Sequence, residues 1–248
     1  MKLKIMTYNI ASGLEMGTNP DKISVIPMAE VAKEYMPDIL GLNEVREKNG
    51  ESMYQEKLFA DILGYKYHFF APAIKIEGYG YGNALVSRYP IVDAKIITVP
   101  DALEKDPTLP WERKSDGRYF ETRCILKATV ITPDEKLDVF VTHFGLEESE
   151  KKNIMSVLKS ELSKKEHRCI VMGDFNSVPT DEHIKELETI LKNAQPEDIT
   201  PELYTFASYE PTMKIDYIMT EKNVDVIKTG SIDVCASDHR PYYAELEL

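Results

Sequence analysis

Nine polar side chains interrupt otherwise apolar stretches of this chain: Asn9 in TYNI, Glu44 in LNEV, Asn83 in GNALVS, His143 in VTHF, Asp174 and Asn176 in GDFN, Asp216 in KIDYI, and Asp238 with His239 in SDHRP. Each alone has an ordinary reading: a turn cap for Asn9, a solvated charge for Glu44, a satisfied histidine for His143, a structural ion pair for Asp216. The collection is harder to explain that way. A carboxylate inside an apolar strand needs a partner or a metal. Four carboxylates, three side-chain amides and two imidazoles form an oxygen-rich set, which suits Mg2+, Mn2+ or Ca2+ rather than zinc or copper. Carboxylates around a hard cation, with amides and imidazoles to hold anionic oxygens, suit transfer of a phosphoryl group to water.

Such chemistry requires the nine residues to meet, and the elements carrying them are mostly strands. Strand-like runs occupy the opening KLKIMTYNI, then 38–45, 65–72, 82–91, 118–131, 136–144 and 167–175, followed by KIDYIMT, NVDVIKTGS and PYYAELEL. In 118–131, Phe120, Thr122, Cys124, Leu126, Ala128 and Val130 share one face by period two. Helical signals are fewer. Asn19-Pro20-Asp21 predicts a cap leading into a helix that ends near Tyr35, with Pro27 able to delay it. Segment 51–63 is amphipathic. Ile154, Val157, Leu158, Glu161 and Leu162 mark a helix over 147–165, and Thr180 or Asp181 caps another through Leu191. Consecutive strands without intervening helices predict an α/β (α+β) domain of two packed sheets with helices outside. In that arrangement strand ends gather along one rim.

The totals agree with a catalytic domain of this kind. The 248 residues, 43% of them hydrophobic, carry no linker, low-complexity run or repeat, which predicts one domain over 1–248. Cys124, Cys169 and Cys235 are widely spaced and odd in number, so reduced thiols are expected rather than a disulfide framework or a cysteine zinc site. No apolar run reaches the length of a signal peptide or membrane span, and a cytoplasmic location is expected. The net charge of −12 disfavours sequence-independent gripping of duplex nucleic acid, which draws affinity from neutralised phosphates.

In order, TYNI, NEV, GNALVSRYPI, VTHF, GDFNSVP, KIDYIMT and SDHRPYYAEL resemble the successive motifs of the endonuclease/exonuclease/phosphatase superfamily, from about residue 5 to residue 247. The resemblance implies a four-layered sandwich: two mixed β-sheets face to face with helices on both outer sides. It also implies an Mg2+ (or Mn2+)-dependent phosphoric ester hydrolase. Carried over position by position, the resemblance makes Glu44 the main metal ligand, with Asn9 in the same role or one water away and Asp238 a second metal-side or leaving-group-side carboxylate. Asp174 orients or deprotonates the attacking water, helped by Asn176. His239 donates to phosphate oxygens, Asp216 fixes His239, and His143 contacts the phosphate; Asn83 and Arg123 are expected near substrate. Arg123 has an equal alternative, a salt bridge to an acid such as Glu121 or Glu44.

Other features narrow the choice. Histidine at 143 looks more like the sphingomyelinase, inositol phosphatase, deadenylase and deoxyribonuclease branches than the apurinic endonucleases. The long segment 101–120 carries Trp111 beside Glu112, Arg113 and Lys114, and is expected to border the substrate groove. GYGYGN at 78–83 lacks the Lys-Ser/Thr of a P-loop and reads as a turn. Ser237, Asp238 and His239 are consecutive and cannot form a hydrolase triad. The expected substrate is a phosphorylated small molecule, lipid-like molecule or nucleotide. A DNA or RNA nuclease is the alternative, and a binding protein that lost the chemistry is a second.

Overall fold

The computed structural model describes residues 1–16, 23–49, 52–196 and 198–248. One mixed sheet runs in the order β15 (Asp225–Ser231), β16 (Tyr242–Glu247), β1 (Lys2–Asn9), β2 (Ile39–Arg46), β6 (Tyr79–Ser87), β5 (Tyr67–Ile76). The other runs β13 (Lys192–Asn193), β14 (Asp216–Thr220), β12 (Arg168–Asp174), β11 (Lys136–His143), β10 (Cys124–Ile131), β7 (Ile91–Thr98). Short ladders join β3 (Lys48–Asn49) to β4 (Ser52–Met53) and β8 (Trp111–Arg113) to β9 (Tyr119–Glu121). Each large sheet has one parallel pair at its centre, β1 with β2 and β11 with β12, among antiparallel neighbours. The helices are α1 (Ile26–Tyr35), α2 (Gln55–Leu63), α3 (Glu148–Leu162) and α4 (Glu182–Ile190).

Three buried clusters make this a four-layered sandwich. Between the sheets, Ile5, Ile39 and Leu85 meet Leu126, Val139 and Ile170. Outside the first sheet, Tyr8, Leu40 and Val86 pack on Met28 and Ala32 of α1 and Phe59 of α2. Outside the second, Phe140, Val171 and Met219 pack on Ile154 and Leu158 of α3 and Leu187 of α4. Central strands are therefore covered on both faces, which explains why β2 and β12 read as nearly unbroken apolar runs rather than alternating ones.

Several boundaries differ from expectation. The 118–131 run is broken at Thr122–Arg123 into β9 and β10. Cys124, Leu126, Ala128 and Val130 keep their shared inward face, but the break swings Arg123 into a buried position. The 82–91 run ends at Ser87, and β7 starts separately at Ile91 after Pro90, which has no N–H for a ladder. The expected 51–63 helix begins at Gln55. Pro27 is the second residue of α1, where its missing N–H costs nothing; the Asn19-Pro20-Asp21 cap lies outside the described residues. The three cysteines are free. Among the described residues no helix is long and apolar enough to cross a membrane.

Candidate active site

The parallel strands β1, β2, β11 and β12 all end at one rim, where antiparallel β14 begins. Register makes the alignment strict: His143 pairs with Asp174, and Asp174 with Asp216, across three adjacent strands. In the facing sheet Asn9 pairs with Asn43. Two backbone devices aim the side chains. Gly173 has φ +146°, and a Cβ there would lie 1.8 Å from the Thr142 carbonyl oxygen, so only glycine fits before Asp174. Glu44 sits where the β2–β6 register shifts between Leu42 and Val45, with φ +56°. This bulge turns the glutamate out toward the rim while Asn43 points inward. A left-handed non-glycine residue costs on the order of 1–3 kcal/mol, strain held in place by the surrounding sheet.

Asn43, the inward neighbour, joins the sheets. Its Nδ2 donates to Asn83 Oδ1 at 2.8 Å and to the Thr142 carbonyl at 2.9 Å, and its Oδ1 accepts from Asp174 N–H at 2.9 Å. Asn83 passes the link on, donating to the Cys124 carbonyl at 3.0 Å. Asn43→Ala would leave three fully buried partners unpaired. At about 1–3 kcal/mol for a buried unsatisfied group, with partial relaxation, urea unfolding is expected to show a loss of about 2–4 kcal/mol.

Asp174 lies at the centre. Its Oδ1 accepts from Asn176 N–H at 2.8 Å. Its Oδ2 accepts from Asn9 Nδ2 at 3.1 Å and stands 3.5 Å from Nε2 of both His143 and His239. His239 Nδ1 meets Asp216 Oδ2 at 2.9 Å. Burial alone would discharge the His239 imidazole, but Asp216 and then Asp174 overcome it and push its pKa up to about 10. Burial, reinforced by Asp216, holds the Asp174 carboxyl above the ordinary carboxylate range against the pull of His239. Buried Lys214 braces the strand start: its Nζ donates to the Asp216 carbonyl at 2.8 Å and lies over the Tyr217 and Tyr242 rings.

The two imidazoles are set oppositely. Burial, then the Arg123 and His239 charges, lower the His143 pKa well below the usual value, so it is neutral. Arg123 Nη1, always a donor, lies 3.0 Å from His143 Nδ1. Asn176 Nδ2, also a donor, lies 3.2 Å from Nε2, so donors face both ring nitrogens, while Nε2 also stands beside Asp174. Arg123 is in turn ion-paired with Glu121. Glu121 is placed by α3, whose Glu150 carboxylate accepts from Glu121 N–H at 2.8 Å and from Glu147 N–H at 3.2 Å.

A cavity of about 520 Å³ opens over these groups, lined by Glu44, Arg123, His143, Asp174, Asn176, Asp238 and His239 among others. Asp216 lies just behind it through His239. Asn9 clamps the acids: its Nδ2 donates to Glu44 Oε1 at 3.0 Å as well as to Asp174, while its Oδ1 accepts from Ala11 N–H. The structure thus turns its amide nitrogen, a group that cannot ligate a metal, toward the acids. Asn83 is buried between the sheets and does not line the main cavity. Trp111 is exposed and also outside the lining, stacked 6.1 Å from Tyr119, which does line it. Sequence reasoning passed over Asn43, although two successive polar residues in LNEV are the signal that both faces of a buried strand carry polar work. It also passed over Phe206, Met213 and Leu146, which line the cavity and read as ordinary loop hydrophobics.

Asp174, Asp216 and His239 offer donor atoms within 4.8 Å of one another, a buried cluster of metal-ligating types. A rim of strand ends on a sandwich of two mixed sheets, presenting carboxylates and paired imidazoles, defines a class of phosphoester-hydrolase scaffold. The sequence matches the Endonuclease/Exonuclease/phosphatase family over residues 6–239, and the chain belongs to that family. An endonuclease/exonuclease/phosphatase from Beutenbergia cavernae has a similar structure, with TM-score 0.81 and 21% identity over 100% of this chain and 72% of that one. One from Bacteroides vulgatus has TM-score 0.77 and 18% identity over 100% and 99% of the two chains. A mannosyl-6-phosphatase from Bacteroides thetaiotaomicron has TM-score 0.73 and 17% identity over 99% and 100%. No curated protein matches the sequence significantly.

Proposed function

We propose that the chain is a single-domain, divalent-metal-dependent phosphoesterase that hydrolyses a phosphate ester by in-line attack of water. The observation that carries this reading is the placement of a buried carboxylate with raised pKa, Asp174, between one charged and one neutral imidazole at the floor of a single cavity. Asp174 takes a proton as the water oxygen bonds to phosphorus. His239, held as imidazolium by Asp216, donates to one phosphate oxygen. His143, on the other side of Asp174, contacts another. The ester P–O bond breaks opposite the entering water; the leaving oxygen takes a proton from solvent water and departs as an alcohol, and Asp174 returns its proton to solvent. Positioned donors and fixed charge are what this reaction needs.

The residues fit a hard cation, with Glu44 and Asp238 as the groups that would hold it. Burial, and then Asp238 and Glu121 nearby, raise the Glu44 carboxyl pKa against the Asn9 hydrogen bond, a penalty on its charged form that a cation held there would offset. Among the described residues, Asp216 Oδ1 is buried without a hydrogen-bond partner. The donor set is oxygen, which favours Mg2+ or Mn2+. Such an ion supplies Lewis-acid stabilisation of charge on the phosphoryl and leaving oxygens.

Turnover of p-nitrophenyl phosphate and bis-p-nitrophenyl phosphate, each with Mg2+ or Mn2+ and with chelator, tests the proposal. Hydrolysis of either, abolished by chelator, is the expected result. No turnover with any divalent ion would favour a binding protein on the same fold, and nicking of supercoiled plasmid at low enzyme would favour a nuclease. The mannosyl-6-phosphatase of similar structure supports phosphomonoesters as a place to begin.

A further inference from the structure

Above the catalytic floor the cavity has two properties that select among phosphate esters. The first is its shortage of available cations. Among the described residues, Arg123 is the one lysine or arginine side chain in the lining, and Glu121 and His143 already engage it. Neighbouring cations are likewise held. Lys151 Nζ donates to the Asn176 carbonyl at 2.6 Å, Arg113 lies over the Tyr119 ring, and Arg240 pairs with Asp233. Beyond the two histidines, a second phosphate would meet the carboxylates of Glu121 and Asp181, both in the lining. Like charges at close range in a partly desolvated cavity repel strongly.

The second property is an apolar mouth assembled from three separate segments. Leu146 follows β11, Val178 follows β12, and Phe206 pairs with Met213 as an isolated bridge before β14. The Phe206 ring packs 4.9 Å from the His239 ring, so this surface begins beside the phosphate-binding imidazole. Leu146 and Met213 are 51% and 37% exposed. Large apolar side chains grouped at a concave mouth gain stability when an apolar group covers them.

Resting on the phosphoesterase reading, we propose that the substrate carries a single phosphate esterified to an apolar group, alkyl or aryl, which seats on Leu146, Val178, Phe206 and Met213. Sugar bisphosphates, polyphosphorylated inositols and nucleic acid strands are poor fits to this mouth. The four residues determine specificity and take no part in bond making.

Calorimetric titration with non-hydrolysable phosphonates in the presence of Mg2+ tests the proposal independently of turnover. Phenylphosphonate and octylphosphonate are expected to bind at least about tenfold more tightly than methylphosphonate, the scale set by burying several carbons. Fructose 1,6-bisphosphate is expected to bind more weakly than phenylphosphonate. Whichever of phenyl and octyl binds tighter identifies the apolar group as aromatic or aliphatic. The double variant Leu146→Ser/Met213→Ser should collapse the phenyl-to-methyl ratio toward unity and change methylphosphonate affinity less than about twofold. Both positions are well exposed, and thermal melting verifies that the variant is folded. Equal affinities for methyl- and phenylphosphonate, a preference unaltered in the double variant, or tighter binding of the bisphosphate would each overturn this assignment while leaving the phosphoesterase reading intact. Absence of ester hydrolysis with every metal would instead remove the reading beneath it.

Discussion

Asp174→Asn is expected to lower kcat by about 1000-fold, within the ~100- to 10,000-fold range of a positioned general base. The neutral amide keeps an oxygen to accept from Asn176 N–H, a bond of 2.8 Å in the parent, so the loop after β12 keeps its shape. What disappears is the carboxylate oxygen that both imidazoles approach at 3.5 Å and that would receive the water proton. Thermal stability should move little. Removing a buried negative charge beside Asp216 is favourable, whereas the new amide N–H would face the Asn9 donor, which is unfavourable. Steady-state kinetics with saturating Mg2+, paired with a melting curve, separates the outcomes. Retention of more than a tenth of the parent kcat in a folded variant would exclude Asp174 as the base.

Asp216→Asn is expected to displace the pH dependence of kcat/KM as a whole. The parent profile should be bell-shaped, because Asp174 must be ionised and His239 protonated. The signs follow from the site. Asp174 titrates above the usual carboxylate range, so activity appears late as pH rises. His239 keeps its proton up to about 10, so activity is lost only in alkali. The Asp216 charge raises both pKa values, and neutralising it lowers both. Each limb should therefore move toward acid, the alkaline one by about 1–3 units, the range for loss of a close opposite charge. Near pH 9 the variant should lose about twofold to 100-fold of its rate relative to its own optimum, according to the size of that shift. A merely structural Asp216 would lower the rate at every pH without shifting the limbs. An unshifted alkaline limb would remove His239 as the charged donor.

The same residues show how far the sequence could be read. The sandwich was legible because the strands are short and strongly apolar and β5 to β11 follow one another with no intervening helix, helical periodicity being confined to a few segments. The polar interruptions were legible as chemistry because a carboxylate in a buried strand is costly unless it has a partner. Arg123 was harder. Continuous alternation through 118–131 set it opposite the apolar face, and the break at Thr122–Arg123 reset that parity. Its burial against Glu121 and His143 depends on α3 reaching across with Glu150, a contact between segments about 29 residues apart. Asn43 escaped because its three partners lie on β6, β11 and β12, and nothing local distinguishes a sheet-bridging amide from a capping one. Asn83, expected near substrate, lies instead in that bridge between the sheets.

By itself the sequence determined the inventory: which acids, amides and imidazoles interrupt which strands, and with it the expectation of hard-ligand, phosphoryl-transfer chemistry. These are properties of residue type and of the period-two pattern, which the chain carries locally. The tertiary structure alone decided how each group behaves. His143 and His239 are both buried and both 3.5 Å from Asp174, yet burial and then Arg123 lower the pKa of the first, while Asp216 and Asp174 outweigh burial and raise that of the second. Electrostatic coupling falls with distance in space, not along the chain, and His239, on the segment before β16 of the first sheet, meets Asp216 and Asp174 of the second only when the two sheets close.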